Sequence, residues 1–328
     1  MSVFWAGTTV WARDKIDVVF LKNGDRVTSE IKKLERGKLT VKTDSMGTIE
    51  IEWDDIDRVI SNYTFEVEVS DGQKFLGSIQ PAVGGNQLQI SAEAGPATLD
   101  HMSVVRVTPI EQSFWERIDG SIDIGFSFAR ANRKTEWDMG FESNYRVTQS
   151  LTSLSVDSAF TEQAGTENTN RHTATLQFRR FLGHRWFGLG LGQARRNDEL
   201  SLDLRTTVGG GLGRNLVQTN RTLFSLIGGF TFNREEFSSQ EAASSAEGMA
   251  GIEYQTFTFD TPKMDGLISL FLLPNLSSLG RVRGAFDARI RYEIFKDFFF
   301  SVAGYDDFDS DPPGGAERND FGVSTSVG

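Results

Sequence analysis

The chain has 328 residues, enough for two or three domains. Its net charge of −11 argues against a general nucleic-acid binder, and the lack of cysteine excludes a disulfide frame or a thiolate metal site. No apolar run reaches the ~18 residues that a spanning helix needs, while 33 Gly and 26 Phe favour strands.

Residues 1–12 read as the remnant of a secretory signal. Ser2 to Ala12 is mildly apolar and ends Val10-Trp11-Ala12, with small or aliphatic residues at the positions a signal peptidase inspects. The positive n-region and the longer apolar core of a full signal are missing.

Residues 13–110 form a tandem repeat. Asn23-Gly24-Asp25 aligns with Asp71-Gly72-Gln73 at an offset of 48 residues. The pairs Ile31/Ile79, Gly37/Gly85, Gly47/Gly95, Ile56/Val104, Arg58/Arg106 and Val59/Val107 keep that offset. Each unit has a strand, an Asn-Gly or Asp-Gly turn, a second strand (27–34; 74–79) and a third (38–43; 87–92), then shorter ones after further glycine turns. This describes two SH3-like or Sm-like barrels, 13–62 and 63–110. The opening motif, Leu21-Lys22-Asn23-Gly24-Asp25 through Leu39-Thr40-Val41, resembles Sm-like folds. Those folds grip RNA with a loop residue and a later Arg-Gly pair. Here the later segment, Trp53 to Val59, is acidic and lacks the pair. Lys32, Lys33, Arg36 and Lys38 are interleaved with Glu30 and Glu35, a solvated face rather than a nucleic-acid patch. Trp53 is assigned to the small core.

Residues 111–116 are a linker. Its Phe114 and Trp115 suit either a membrane-interface anchor or packing at a domain junction. From 117 to 328 an alternation of period two persists, which puts alternate residues on opposite faces of strands. Ile118, Ile122, Ile124, Phe126 and Phe128 oppose Asp119, Ser121, Asp123 and Ser127. Trp137, Met139, Phe141 and Tyr145 oppose Glu136, Asp138, Glu142 and Arg146. Leu154, Val156 and Phe160 mark a third strand, and Ala174, Leu176 and Phe178 a fourth. Phe187, Leu189 and Leu191 read as the apolar face of a fifth, with Leu200 to Val208 a sixth and Phe224 to Phe232 a seventh. Ile252 to Thr256 and Leu267 to Leu273 follow. The tenth is the clearest. Val282, Gly284, Phe286, Ala288, Ile290, Tyr292 and Ile294 oppose Arg281, Arg283, Ala285, Asp287, Arg289, Arg291 and Glu293. Phe298 to Gly304 and Phe321 to Val327 complete about twelve strands, an even number as bacterial single-chain barrels have.

The connections alternate too. Joins after even strands are mostly short, such as 148–150 and 296–297, and joins after odd strands are longer and more polar, with 233–248 read as a long loop. Short periplasmic turns and longer outer loops are the pattern of outer-membrane barrels. Both ends of this region, and with them the repeats, then lie on the periplasmic side. The chain ends Ser326-Val327-Gly328, without the terminal aromatic residue such barrels usually carry, so a few further residues are expected.

This region resembles the YdiY-like family, described as salt-induced outer-membrane proteins and catalogued as domain of unknown function 481. The cues are Phe114-Trp115 before an alternating first strand, Phe271-Leu272-Leu273-Pro274-Asn275-Leu276 followed by Gly280-Arg281-Val282-Arg283, and the ionic tenth strand. The resemblance implies a fold and a location. It brings no reaction and no functional residue.

Chemistry is sparse. His101, His172 and His184 have no nucleophile at strand spacing, so no enzyme is expected. Asp307, Asp309 and Asp311 imitate the start of a calcium loop, but position 312 is Pro and 318 is Arg, so they are weak metal candidates beside Asp306. Gly209-Gly210-Gly211-Leu212-Gly213 opens no helix and is no phosphate cradle. The candidate site is the lumen. Arg281, Arg283, Asp287, Arg289, Arg291 and Glu293 would face inward with Asp119, Asp123, Asp138 and Glu142, either interlocked or lining a narrow pore.

The expectation is an all-β protein: a transmembrane barrel of about twelve antiparallel strands (117–328) preceded by two SH3-like units in the periplasm of a Gram-negative bacterium. No cofactor is expected. The expected partners are the bilayer, lipopolysaccharide, and a periplasmic protein or the cell wall, with a structural or stress-related role. A narrow channel and a soluble β-rich binding protein are the alternatives.

Overall fold

The computed structural model describes residues 14–82, 86–92, 95–110, 117–129, 134–147, 149–163, 169–198, 202–237, 240–258, 262–278, 280–295, 298–311 and 318–328. Residues 1–12 and the linker with Phe114 and Trp115 lie outside them. Two compact units result, Met1–Val69 with Lys74–Ile110, and Ser70–Gln73 with Glu111–Gly328.

The first unit has nine strands: β1 (Asp17–Leu21), β2 (Arg26–Glu35), β3 (Lys38–Lys42), β4 (Thr48–Glu52), β5 (Ile56–Val69), β6 (Lys74–Gln80), β7 (Gln87–Ala92), β8 (Gly95–Asp100) and β9 (Val104–Pro109). The long β5 serves both halves. Its first part pairs Val59 with Val19 of β1, and its second part pairs Val67 with Val107 of β9. These two pairs are related by the 48-residue offset, as are Val19–Val27 and Val67–Phe75. The turns repeat in detail. The Asn23 side chain accepts from the Asp25 amide at 2.9 Å, and the Asp71 side chain accepts from the Gln73 amide at 2.8 Å. Gly24 and Gly72 sit at φ +94° and +85°, where a side chain would be strained. Val19, Ile31, Leu34, Val41, Phe65, Val67, Ile90 and Val107 build one core, with Trp53 fully inside it.

The second unit has twelve strands: β10 (Ile118–Ala129), β11 (Lys134–Val147), β12 (Ser150–Gln163), β13 (Thr169–Phe181), β14 (Trp186–Asn197), β15 (Leu202–Gln218), β16 (Thr222–Phe237), β17 (Gln240–Thr258), β18 (Met264–Pro274), β19 (Val282–Phe295), β20 (Phe298–Asp309) and β21 (Asn319–Val327). They form one antiparallel sheet in chain order. The strands run from 9 to 19 residues, against ~5–6 for an ordinary strand.

Two expectations are corrected. The stretch 233–248 is no loop: β16 continues to Phe237 and β17 starts at Gln240, with Asn233 opposite Ser245 and Thr231 opposite Glu247. Apolar alternation stops at Phe232, but the backbone ladder does not need it. The fifth strand of this unit, β14, also faces the other way. Phe187 pairs with Gly213 and Leu189 with Arg179, which puts Phe187, Leu189 and Leu191 on the face of Arg179 and Gln177. Gly188, Gly190 and Gly192 take the opposite face. Register with charged neighbours decides this, because a one-residue slip would turn the side chains of β13 outward.

Candidate functional site

Followed strand by strand, the pairing assigns the paired residues of the second unit to two faces. One face holds Asp119 and Asp123 of β10, Asp138 and Glu142 of β11, Arg179 of β13, Arg195 of β14, Arg205 of β15, Asn233 and Glu235 of β16, Glu247 and Glu253 of β17, Arg283, Asp287, Arg289, Arg291 and Glu293 of β19, and Asp307 and Asp309 of β20. The other holds Phe126, Met139, Phe178, Val208, Leu212, Phe230, Phe232, Ile290 and Val323, all exposed. In the middle strands the polar face is the buried one: Ser225, Thr231, Asn233, Glu235, Glu247 and Glu293 are covered. This inverts the arrangement of a water-soluble protein.

Several of the buried polar groups are matched to one another. Arg283 grips Glu247 through two donors, Nε to Oε1 at 2.8 Å and Nη2 to Oε2 at 2.6 Å. Glu247 also accepts from Asn233 at 2.8 Å, and Asn233 from Thr207 at 2.6 Å, so one chain of bonds runs from β15 to β19. Arg205 pairs with Glu235 at 2.8 Å, and Arg281 holds Asp309 through two bonds of 3.0 and 2.5 Å. Such bidentate pairs fix both ends of the contact. Toward the opposite strand ends, Arg179 meets Glu253 at 3.4 Å and Lys263 meets Glu293 at 3.8 Å. Arg291 lies over the Phe299 ring at 3.9 Å.

Between these clusters the same face carries large apolar side chains laid on glycine. A Cβ at Gly213 would stand 2.3 Å from the Phe187 ring, one at Gly251 2.3 Å from the Phe271 ring, and one at Gly229 2.9 Å from the Met249 methyl. Gly213 of β15, Gly229 of β16 and Gly251 of β17 are therefore packing sites that let these side chains lie flat on the wall.

The expected site residues thus share one face, but the partners differ from those expected. Arg281 and Arg283 are taken by Asp309 and Glu247, not by the carboxylates of β10 and β11. Asp287 stands opposite Ser269 and Tyr305, and Arg289 opposite Leu267 and Ala303. Asp119 and Asp123 stand opposite Asn144 and Gly140, Asp138 opposite Gly125 and Ala159, and Glu142 accepts from Asn144 at 3.0 Å. Asp307 and Asp309 lie on the inner face and Asp311 just beyond the strand, where its amide donates to Asp309 at 3.1 Å. Among the described residues no group of His, Asp and Glu is placed to hold a metal ion. Glu247, Asn233 and Thr207 carry no signal in the sequence, because 233–248 reads as a loop and Thr207 as the end of a strand.

In the first unit, Trp53 and His101 begin two short 3-10 turns, Trp53–Asp55 and His101–Ser103. Their rings stack at 4.1 Å with 4° between planes. Burial pushes the His101 imidazole below its ordinary pKa.

These features define an all-β protein with a long-stranded, twelve-stranded antiparallel sheet whose polar face is buried in its middle strands. No helix among the described residues is long and apolar enough to cross a membrane, which does not bear on crossing by strands. The family described as "Protein of unknown function, DUF481" matches residues 122–328, from within β10 to the last residue given. The chain belongs to this family. No curated protein matches it.

Proposed function

We propose that residues 117–328 form a transmembrane β-barrel of the outer membrane, with the repeat unit in the periplasm and a structural, non-catalytic role in the envelope. The observation that carries this reading is the inverted polarity, with Glu247 1% exposed and Phe232 64% exposed. Lipid receives the apolar face, and the charged face is paired internally. Strands β10 and β21 are then neighbours. Among the described residues no ladder joins them, and they carry the most exposed apolar side chains, Ile122 at 71% and Val323 at 72%. An unpaired strand edge is untenable in hydrocarbon, so a bilayer drives the two together. The bidentate pairs of Arg281 and Arg283 favour an interlocked wall, and the partners of such a barrel are the bilayer, lipopolysaccharide, and a periplasmic protein or the cell wall.

Fractionation with a heat-modifiable gel band tests the reading. Recovery in the outer membrane with faster migration before boiling supports it, and recovery in the soluble fraction without detergent sinks it. A second reading, a narrow channel, draws on Phe187, Phe271 and Met249 lying flat over glycine instead of reaching across the interior. It requires discrete conductance in planar bilayers that Arg289→Ala alters; flat traces from folded protein remove it.

A further inference from the structure

The outward face of β15, β16 and β17 carries a shallow, open cavity of about 500 Å³ toward the ends of the strands where β16 turns into β17. Its floor has two rows. Val208, Phe232 and Ala246 form the row nearer the middle of the strands, and Thr206, Arg234 and Ser244 form the row nearer their ends. One wall is the segment after β18. The Leu276 amide donates to the Ala246 carbonyl at 2.7 Å, and the Ser277 hydroxyl accepts from the Ala246 amide at 2.9 Å, which ties this segment along β17. Ser277 thereby lines the cavity. Arg234 donates through Nε to Glu236 at 3.0 Å, which holds the guanidinium in place.

We infer that this cavity binds a phosphorylated glycolipid of the outer leaflet. The inference rests on the barrel reading above, which puts this end of the strands at the outer surface. An apolar row below a cationic and hydroxyl row matches a molecule with acyl chains below and a phosphorylated sugar above. Val208 and Phe232 offer the chains an apolar seat. The terminal nitrogens of Arg234 suit a phosphate, for which guanidinium is the preferred side chain. Thr206, Ser244 and Ser277 provide hydroxyl groups at sugar height. A phospholipid with one phosphate and a glycerol headgroup would leave most of the hydroxyls without a partner.

The test uses the full chain in detergent, with diphosphorylated lipid A as probe and phosphatidylglycerol and phosphatidylcholine as competitors. Two variants act independently. Arg234→Ala removes the cation, and Val208→Trp fills the cavity from a position that is 58% exposed. The expected result is that lipid A binds at least ~10-fold tighter than phosphatidylglycerol and that each variant loses about tenfold, the loss of roughly one charge-assisted bond. Unchanged binding in both folded variants overturns the site. Equal affinity for phosphatidylglycerol overturns the glycolipid assignment. A dimer that Val208→Trp abolishes in the absence of lipid assigns the surface to a second copy of the chain and overturns the proposal. Loss of lipid selectivity in a chain that still fractionates with the outer membrane refutes only this site, whereas a soluble chain refutes the barrel reading as well.

Discussion

Trp53 and His101 stack face to face and exchange hydrogen bonds: the indole Nε1 donates to the His101 carbonyl at 2.8 Å, and the His101 Nε2 lies 3.0 Å from the Trp53 carbonyl. The two residues are 48 positions apart, so they are the same site in the two repeats. The repeats therefore meet through a two-fold-like contact that each contributes to equally. Truncation by Trp53→Ala should cost about 3–5 kcal/mol, the usual cost of emptying a large aromatic site, and it leaves the His101 ring without its stacking partner. Chemical unfolding of the full chain, followed by a probe in the first unit, checks it.

The burial of His101 makes the first unit sensitive to acid. The folded pKa of His101 lies below its ordinary value of 6.5, through burial first, with the Trp53 carbonyl opposing and Lys22 adding to the shift; Asp100 and Asp54 oppose it. Between the folded value and the ordinary one the unfolded chain binds more protons than the folded chain. Stability is complete above this window and falls as the pH drops through it. His101→Gln should flatten the profile below pH ~6.5, as read from melting of the first unit across that range.

Arg283→Ala leaves Glu247 buried with only Asn233 and Thr231 as partners. Breaking a buried pair from one side costs roughly 3–5 kcal/mol. Replacing both partners, Arg283→Met with Glu247→Leu, should recover most of that loss. The midpoint of urea unfolding in detergent measures both, and equal midpoints for the single and double variants would contradict the pairing.

Gly213→Ala should destabilise the second unit by about 1–3 kcal/mol through overpacking against the Phe187 ring. Adding Phe187→Leu frees the space and should restore part of the loss. A Gly213→Ala variant as stable as the parent would show that Phe187 does not lie on this glycine.

The chain has no cysteine, so engineered pairs report without interference. If β10 and β21 close the barrel, Ile122→Cys or Ile124→Cys combined with Val323→Cys or Thr325→Cys should give at least one pair that cross-links quantitatively in membranes, since strand neighbours bring Cβ atoms within ~5.5 Å. Absence of any cross-link among the four combinations would leave the two edges apart.

Much of the fold was legible because the period of a strand is local. Alternation in 282–294 assigns faces with no knowledge of a neighbour, and the Asn23-Gly24 and Asp71-Gly72 turns mark the repeat by themselves. The two differences between pattern and structure share a cause. Phe187, Leu189 and Leu191 alternate with glycine, and glycine has no preference for either face, so the pattern alone points the apolar set the wrong way. Residues 233–248 lack apolar alternation beyond Phe232, so a strand held by its backbone ladder looked like a loop.

The sequence by itself determined an all-β chain, a 48-residue repeat and a two-faced, long-stranded second unit, since each follows from spacing along the chain. Only the tertiary structure decided that Arg283 meets Glu247, that Arg281 meets Asp309, that Phe187 lies on Gly213, and that Trp53 stacks on His101. Those contacts join residues 26 to 48 positions apart, and they depend on register between strands. Register is a collective property of the ladder, set by which neighbouring faces must agree, and no single strand encodes it.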